Sequence, residues 1–304
     1  MKRGVQLSVF FLVLVASAAA IYYAQRRQKQ ARVSANALME MTADAQRDIS
    51  RLPMHLTRLP DDEEIAIGRQ LESQYSYMGK KMTPDEQVLE NYVRQVGGRV
   101  ASHAHRTLPY EFHLVPDRNM MNAFALPGGP VYIGEGMTDL METEDELAGV
   151  LAHEVEHIDH YHAVERVQIE AQLRNLELDV LGQLVQLPVS LWEAGYHKDE
   201  ELEADREGMF LAVEAGYSPY GTVQMMEEFS KLHKEYVIHA ETPDDELSQL
   251  AVQSLEGYFR SHPPPSERLD QANRIIVEQH WESRREQKPF HLEYQLHNGE
   301  VVSP

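Results

Sequence analysis

The feature that most constrains this chain is a pair of histidines placed four residues apart in a helical pattern. Residues 153–157 read His-Glu-Val-Glu-His and follow a helix N-terminus signalled by Thr143 and Glu146, the two ends of a capping box. Residues four apart lie one turn above each other on a helix, so both imidazoles point off one face and can share a metal ion. Glu154 lies beside that face, within reach of a metal-bound water. The motif also occurs on solvated helices rich in histidine and glutamate, so alone it leaves both interpretations open.

The apolar residues on the first turns of this helix predict that it is buried. Leu147, Val150 and Leu151 recur at helical spacing, and the helical pattern continues past His162. Burying two histidines and a glutamate in such surroundings costs several kcal/mol unless they are paired or bind a metal. The apolar face therefore favours the metal-binding interpretation over the solvated one.

A third ligand is available on a later helix, because residues 201–205 read Glu-Leu-Glu-Ala-Asp. Glu201 and Asp205 share one helix face, whereas Glu203 points elsewhere. A catalytic zinc ion takes three protein ligands and leaves one position for water. The chain has no cysteine, so a metal must be held mainly by histidine, aspartate or glutamate. The two motifs together predict a zinc site built from two helices.

The paired motifs resemble the M48 family of metallopeptidases, in which a His-Glu-x-x-His helix is followed by a Glu-x-x-x-Asp helix. The resemblance implies one Zn²⁺ per chain, bound by His153, His157 and Glu201. It also implies that Glu154 acts as the general base and then as the general acid of peptide hydrolysis. Further segments that match the family in order are 62–64, 122–129, 215–219, 261–263 and Arg268.

Asp205 is expected, by the same resemblance, to be a catalytic-site carboxylate that orients a ligand histidine. The alternative is that Asp205 forms an ion pair with Arg206 or Lys198. The chain departs from the family at two positions, since Glu156 stands where glycine is frequent and Lys198 stands where arginine is frequent. Neither departure removes a predicted metal ligand.

A short strand at the edge of the cleft is expected over residues 122–126, followed by a tight loop over 127–130 and a second strand. Such a strand can bind the backbone of a substrate by strand addition, and an ordinary core strand is the alternative. The residues expected to bind substrate are Asn122, Ala123, Phe124, Ala125 and Leu126.

His262 precedes three prolines that stiffen a loop, and we expect this loop to lie near the zinc site. His262 would then either stabilise the oxyanion of the reaction or occupy the open metal position in a latent state. A loop histidine in solvent is the alternative.

The N-terminal residues 5–24 are uncharged and mostly apolar, which is enough for one helix across a bilayer. Basic residues flank this segment, and Tyr22 and Tyr23 are typical of an interfacial anchor. A cleaved secretory signal with its cleavage site at 16–18 is the alternative. Both interpretations predict an extracytoplasmic protein of the bacterial periplasm, either anchored to the inner membrane or released.

The charge of the chain is divided unevenly between residues 1–58 and the residues that follow. The net charge is −21, and residues 1–58 carry nine Lys and Arg against three Asp and Glu, a net of +6 that leaves −27 for the rest. An acidic body repels nucleic acid, so we expect no nucleic-acid partner. The expected partners are unfolded or misassembled proteins and, through the N-terminal segment, a membrane.

The expected fold is α+β and mostly helical, a zincin-like metallopeptidase fold with a short sheet over the histidine helix. The expected segments are an anchor or signal at 1–33, a linker or wrapping helix at 34–60, a metallopeptidase domain at 61–279 and a tail at 280–304. The favoured function is a zinc endopeptidase that degrades unfolded or misassembled envelope proteins. The alternative is a latent zinc protein with a chaperone or scaffolding role, although the intact base Glu154 favours catalysis.

Overall fold

The computed structural model describes residues 59–73, 81–173, 196–241, 262 and 266–290. All of them belong to one unit of the chain, which begins at Arg58. Within these ranges no helix is long and apolar enough to cross a membrane. The apolar segment 5–24 and most of the linker 34–60 lie outside the described residues, so these assignments and the domain limits stay predictions.

The described part of the chain is mostly helical and contains one small sheet. The helices are α1 (Asp61–Glu72), α2 (Pro84–Ala101), α3 (Glu135–Thr138), α4 (Glu144–Asp159), α5 (His162–Leu173), α6 (Lys198–Glu214), α7 (Tyr220–Glu241) and α8 (Ser266–Glu278). The strands are β1 (Glu111–Val115), β2 (Ala123–Ala125) and β3 (Pro130–Gly134). This arrangement confirms the predicted helix-rich α+β class.

Helix α4, which carries the histidine pair, begins where the capping box places it. Thr143 Oγ1 accepts a hydrogen bond from the Glu146 amide at 3.2 Å, and Glu146 Oε2 accepts one from the Thr143 amide at 2.7 Å. Leu147, Leu151 and Val155 are fully buried. Helices α2, α6 and α7 and the sheet all pack against α4, so the histidine helix lies in the core as its apolar face predicts.

Helix α4 ends at Asp159, and the prediction that it continues past His162 is wrong. Tyr161 has a left-handed backbone conformation with φ of 66°, and a new helix, α5, begins at His162. Arg106 stabilises this break, because its guanidinium lies 3.8 Å from the centre of the Tyr161 ring and donates to the Ile158 carbonyl at 2.7 Å. The helical pattern does not reveal the break, since the residue that stabilises it is remote in the sequence.

The sheet has the strand order β1-β3-β2, with β1 parallel to β3 and β2 antiparallel to it. The loop between β2 and β3 needs glycine at Gly128, where φ is 79° and a Cβ would lie 2.6 Å from Ile65 Cα. The buried carboxylate of Glu64 accepts a hydrogen bond from the Gly128 amide at 2.9 Å, so α1 holds the loop in place. Two short strands around a tight loop are therefore confirmed.

Helix α6 approaches α4 closely because it presents a glycine at the contact. A Cβ on Gly208 would lie 2.9 Å from the amide nitrogen of His153. Glu201 and Asp205 lie on the same face of α6 as Gly208, at helical spacing. The close contact between the two helices therefore brings both carboxylates to the histidine face of α4.

Candidate metal centre and active site

Two imidazoles and one carboxylate converge between α4 and α6. His153 Nε2 and His157 Nε2 are 3.0 Å apart. Glu201 faces this pair, with Oε2 at 3.7 Å from His153 Nε2 and Oε1 at 3.5 Å from His157 Nε2. His157 and Glu201 are fully buried, and His153 is 8% exposed. The structure thus brings together the three residues that the sequence predicts as ligands.

These three side chains fit a divalent metal ion such as zinc. They present two ring nitrogens and one carboxylate to a common point, which is the donor set of many catalytic zinc sites. Burial lowers the pKa of His157 well below its ordinary value, so the ring is neutral, as a metal ligand must be. Burial alone would raise the pKa of Glu201, but the neighbouring His262 and the guanidinium of Arg268 outweigh burial and hold the pKa well below the usual range.

Asp205 lies behind His153 and is fixed by an arginine. Its Oδ1 is 3.0 Å from His153 Nδ1, a contact of ion-pair length in which the ring is not aligned for a hydrogen bond, so Asp205 lies on the side of the imidazole opposite Nε2 and the other ligands. Arg268 binds the same carboxylate with two hydrogen bonds, from Nε to Oδ2 at 2.6 Å and from Nη2 to Oδ1 at 2.7 Å. A third contact of 3.2 Å joins Arg268 Nη1 to Glu201 Oε2, so one guanidinium holds both carboxylates.

The alternative ion pairs of Asp205 are not formed. Arg206 contacts Glu207 at 2.7 Å, and Lys198 contacts Glu267 at 2.6 Å. Burial would raise the pKa of Asp205, but the guanidinium bound to it outweighs burial and lowers the pKa. The carboxylate is therefore ionised and able to accept a hydrogen bond from a ligand histidine.

Glu154 lies beside the ligands without joining them. It is 1% exposed, and its Oε2 has no hydrogen-bond partner among the described residues. Burial raises the pKa of Glu154, and the neighbouring His153 and His262 oppose this rise without cancelling it. A buried carboxylate with a raised pKa and an available oxygen, next to a cation site, is the arrangement of a general base.

His162 also contacts the group formed by His153, His157 and Glu201, and the sequence patterns did not reveal this. His162 Nδ1 lies 3.1 Å from His157 Nδ1, and His162 Nε2 lies 3.4 Å from Glu203 Oε2. On an unbroken helix a residue five positions after His157 would point to another face, and the turn at Tyr161 brings it back. Glu203 stays out of the ligand group, as predicted, but it contacts His162.

His262 lies at the ligand cluster, which is the group formed by His153, His157 and Glu201, and not in solvent. Its side chain is 3% exposed, and its Nδ1 lies 3.1 and 3.0 Å from the two carboxylate oxygens of Glu201. The donor atoms of His153, His157, Glu201 and His262 all lie within 4.8 Å of one another. The position of His262 therefore allows it to act as a fourth ligand.

A cleft of about 390 Å³, counting its open mouth, borders Glu154 and His262. Its apolar wall is formed by Ala123, Val150, Met225, Met226 and Phe229. The charged groups of the cleft belong to the ligand cluster and its supporting residues, so the remaining wall suits an apolar group.

The side chains of strand β2 are buried. Ala125 and Leu126 are fully buried, and Phe124 stacks on Tyr132 with ring centres 5.0 Å apart. Ala123 lines the cleft. Of the five residues expected to bind substrate, the structure therefore places the side chain of Ala123 at the cleft.

The hydrogen bonds at the two ends of β2 show which way its main chain faces. The Asn122 carbonyl accepts from Gly134 and the Leu126 amide donates to Pro130, so both ends bond to β3. Successive residues alternate between the two sides of a strand. The main-chain groups of Ala123 and Ala125 therefore point away from β3, toward the edge of the sheet.

Residues 87–276, from α2 to the last helix, match Peptidase family M48. The chain belongs to this family. The match includes the sheet, both ligand helices and Arg268. Membership confirms the predicted zincin-like metallopeptidase fold and the predicted class of enzyme.

Three relatives of this M48 chain are named as proteases or endopeptidases. It is 26% identical over 235 residues to the beta-barrel assembly-enhancing protease of Escherichia coli O157:H7, covering 64% of this chain and 48% of that protein. It is 32% identical over 152 residues to the mitochondrial metalloendopeptidase OMA1 of Schizosaccharomyces pombe, covering 47% and 45% of the two chains. It is 24% identical over 219 residues to the metalloprotease YcaL of Escherichia coli K12, covering 67% and 72%. The chain thus spans about half the length of the first two relatives.

Another contact in this M48 site has no signal in the sequence. The ring of Tyr196, just before α6, stacks on His157 with ring centres 3.6 Å apart and planes 11° from parallel. The guanidinium of Arg166 lies 4.5 Å from the centre of the Tyr196 ring. Stacking of this kind restricts the plane of the His157 ring, and neither residue stands at a spacing that would reveal it.

Proposed function

We propose that this M48 chain is a zinc-dependent endopeptidase that degrades unfolded or misassembled proteins of a bacterial envelope. The observation that carries the proposal is the buried convergence of His153, His157 and Glu201, with the carboxylate of Glu154 beside them. A scaffold needs only the metal ligands. A base with an available oxygen at the same place is required for hydrolysis, so its presence favours catalysis.

Each residue around the ligand cluster has a task in the proposed reaction. Zinc bound there would polarise the substrate carbonyl and acidify a water molecule. Glu154 accepts the proton of the attacking water and delivers it to the leaving amine nitrogen, so the products are a carboxylate and an amine. Asp205 keeps the Nε2 lone pair of His153 directed at the ligand cluster. Arg268 keeps both neighbouring carboxylates ionised.

The edge of the sheet and the cleft support binding of an extended polypeptide. Ala123 and Ala125 direct their main-chain groups away from β3, where a substrate strand can pair with them. The apolar wall of the cleft suits an apolar side chain, which an unfolded protein exposes and a folded one hides. Unfolded chains are therefore the substrate class that this surface fits best.

An envelope location is supported by the N-terminal sequence and by the names of the relatives. The segment 5–24 is apolar with basic flanks, as expected for an inner-membrane anchor or a cleaved signal. Proteases named for beta-barrel assembly are among the relatives. We place the protein in the periplasm, anchored or released, with one Zn²⁺ per chain.

Hydrolysis of the same protein in folded and unfolded form tests this function. We expect the full chain to bind one zinc ion and to cleave reduced, alkylated ribonuclease while leaving folded ribonuclease intact. Removal of the metal with a chelator should abolish cleavage, and zinc should restore it, because the ligands act on substrate only through the bound ion. Equal cleavage of both forms would contradict the proposed substrate class, and cleavage by the metal-free protein would contradict the proposed chemistry.

A latent state of the same site is the second candidate, and the position of His262 favours it. A fourth protein ligand would complete a tetrahedral zinc site and leave no position for water. His262 has its Nδ1 within 3.1 Å of Glu201 and its Nε2 at 3.9 Å from Glu154. We therefore propose His262 as a ligand that holds the site inactive, which would leave the protein with a chaperone or scaffolding role in that state.

Replacement of His262 by leucine is expected to raise turnover of unfolded ribonuclease roughly tenfold, if the latent state is stabilised by about 1.4 kcal/mol. The zinc affinity should fall in the same variant, because one ligand is lost. His103→Leu, at an exposed helix end, is the control and should change neither quantity. A fall in turnover at unchanged zinc content would assign His262 to the oxyanion, and unchanged turnover would contradict both roles.

A further inference from the structure

The two ligand histidines are supported differently on the side away from the ligand cluster. His153 Nδ1 faces the carboxylate of Asp205 at 3.0 Å. His157 Nδ1 faces another imidazole nitrogen, Nδ1 of His162, at 3.1 Å. An ionised carboxylate can only accept a hydrogen bond, whereas an imidazole nitrogen either donates or accepts. A further group is therefore needed to decide which of the two imidazoles donates the hydrogen bond and which accepts it.

Glu203 is positioned to fix the direction of this hydrogen bond. Its Oε2 lies 3.4 Å from His162 Nε2, and a carboxylate oxygen at this place can only accept a hydrogen bond. The Glu203 carboxylate favours a proton on Nε2 of His162, which leaves Nδ1 of that ring to accept from His157. His157 must then carry its proton on Nδ1, and its Nε2 lone pair faces Glu201 and His153.

The fold holds this chain of contacts in a buried place. His162 is 5% exposed and is the first residue of α5, directly after the left-handed Tyr161. The break after α4 therefore has a consequence for the site, since it places an imidazole behind His157. Tyr196 restricts the plane of the His157 ring by stacking, but a ring face cannot select which nitrogen carries the proton.

We infer that His162 is a positioning residue that fixes the proton and the orientation of His157, and that Glu203 acts through His162. The inference rests on the proposed role of His157 as a zinc ligand. It makes the metal centre asymmetric, because one ligand histidine is held by a carboxylate directly and the other through an interposed imidazole. Groups that support a ligand histidine in this way typically change metal affinity by about 10- to 100-fold when removed.

Zinc affinity of the full chain, measured by competition with a chromogenic chelator, tests the inference without reference to proteolysis. His162→Phe keeps a ring but removes the acceptor, and we expect its zinc dissociation constant to rise by roughly 10- to 100-fold. His162→Asn places an amide oxygen near the former Nδ1 and should recover most of the loss, because it still accepts from His157. Glu203→Leu removes the carboxylate at the end of the contacts that run from His157 through His162, and it should raise the zinc dissociation constant by up to roughly tenfold.

His160→Phe is the matched control. His160 Nδ1 lies 3.5 Å from Glu203 Oε1 and its Nε2 lies 3.1 Å from Glu156 Oε2, so its replacement removes a neighbouring imidazole but leaves the 3.4 Å contact between His162 Nε2 and Glu203 Oε2 in place. We expect the zinc affinity of this variant to equal that of the parent. The absorption spectrum of the cobalt-substituted protein gives a second measurement, which should change in His162→Phe and stay unchanged in His160→Phe, since it reports ligand geometry.

The outcomes separate this inference from the proposed function. Equal zinc affinity in the parent and His162→Phe would overturn it, and so would equal losses in His162→Phe and His162→Asn, which would indicate packing alone. If His162→Phe does not fold, as judged by thermal unfolding of the metal-free chain, Glu203→Leu and His162→Asn still decide. A parent chain that binds zinc but cleaves nothing would contradict the proposed function but not the positioning role of His162. A parent that binds no zinc would end both.

Discussion

Replacement of Glu154 by glutamine is expected to lower the turnover of unfolded ribonuclease by about 10²–10⁴-fold while one zinc ion stays bound. Glutamine has the same shape but cannot accept a proton from water or deliver one to the leaving amine. Zinc should remain because Glu154 is not among the four residues whose donor atoms converge. The measurements are kcat/KM on the unfolded substrate and the zinc content of the purified full chain.

The neighbouring Glu156 supplies a control for this change. It is 1% exposed, like Glu154, but its carboxylate contacts His160 at 3.1 Å and lies on another side of α4. Glu156→Gln removes an equally buried carboxylate from the same helix, and its turnover should stay within a few-fold of the parent. If both variants lose activity equally, burial of charge in α4 and not base catalysis explains the loss. If Glu154→Gln loses its zinc, Glu154 is a ligand and the proposed mechanism is wrong.

Local signals in the sequence predict the elements that form the site. Thr143 and Glu146 set the start of α4, and apolar spacing identifies its buried face. The interval of four residues brings His153 and His157 to one face, since that geometry belongs to any helix. These features depend on residues close together in the chain, which is why they can be read without a structure.

Contacts between distant residues could not be predicted in the same way. The end of α4 depends on Arg106, which caps Ile158 and stacks on Tyr161 from a different part of the chain. The spacing predicts an unbroken helix there, and on such a helix His162 would face away from His157. The supporting network therefore follows from tertiary packing, whereas the ligands themselves follow from helix geometry.

The partner of Asp205 shows the same limit at the centre of the site. Two cations close in the sequence, Lys198 and Arg206, lie on the same helix as Asp205, yet the pairing residue is Arg268, on another helix. A surface pairing would be open to water, but Asp205 is 4% exposed and its partner must be buried with it. Asp205 therefore pairs with Arg268 because both side chains are buried. The position of an acidic residue in the sequence does not by itself show whether its side chain is buried.

Replacement of Arg268 by leucine is expected to lower the free energy of unfolding of the metal-free protein by about 3–5 kcal/mol. Arg268 is 6% exposed and holds Glu201 and Asp205, which are both buried, so its loss leaves two buried carboxylates without their cation. Bound zinc would replace the missing charge at Glu201 but not at Asp205. The loss should therefore be smaller when zinc is present, as measured by urea unfolding with a chelator and with zinc.

Lys198→Leu is the control, because the Lys198–Glu267 pair also joins α6 to α8 but lies at the surface. The two side chains are 58% and 54% exposed, and an exposed pair of this kind contributes only about 0–1 kcal/mol. A large loss in both variants would mean that any contact between α6 and α8 supports the fold. A small loss in Arg268→Leu would mean that the two carboxylates become protonated or hydrated at little cost. A large loss confined to Arg268→Leu, reduced by zinc, would show that Arg268 and the metal ion stabilise the same buried negative charge.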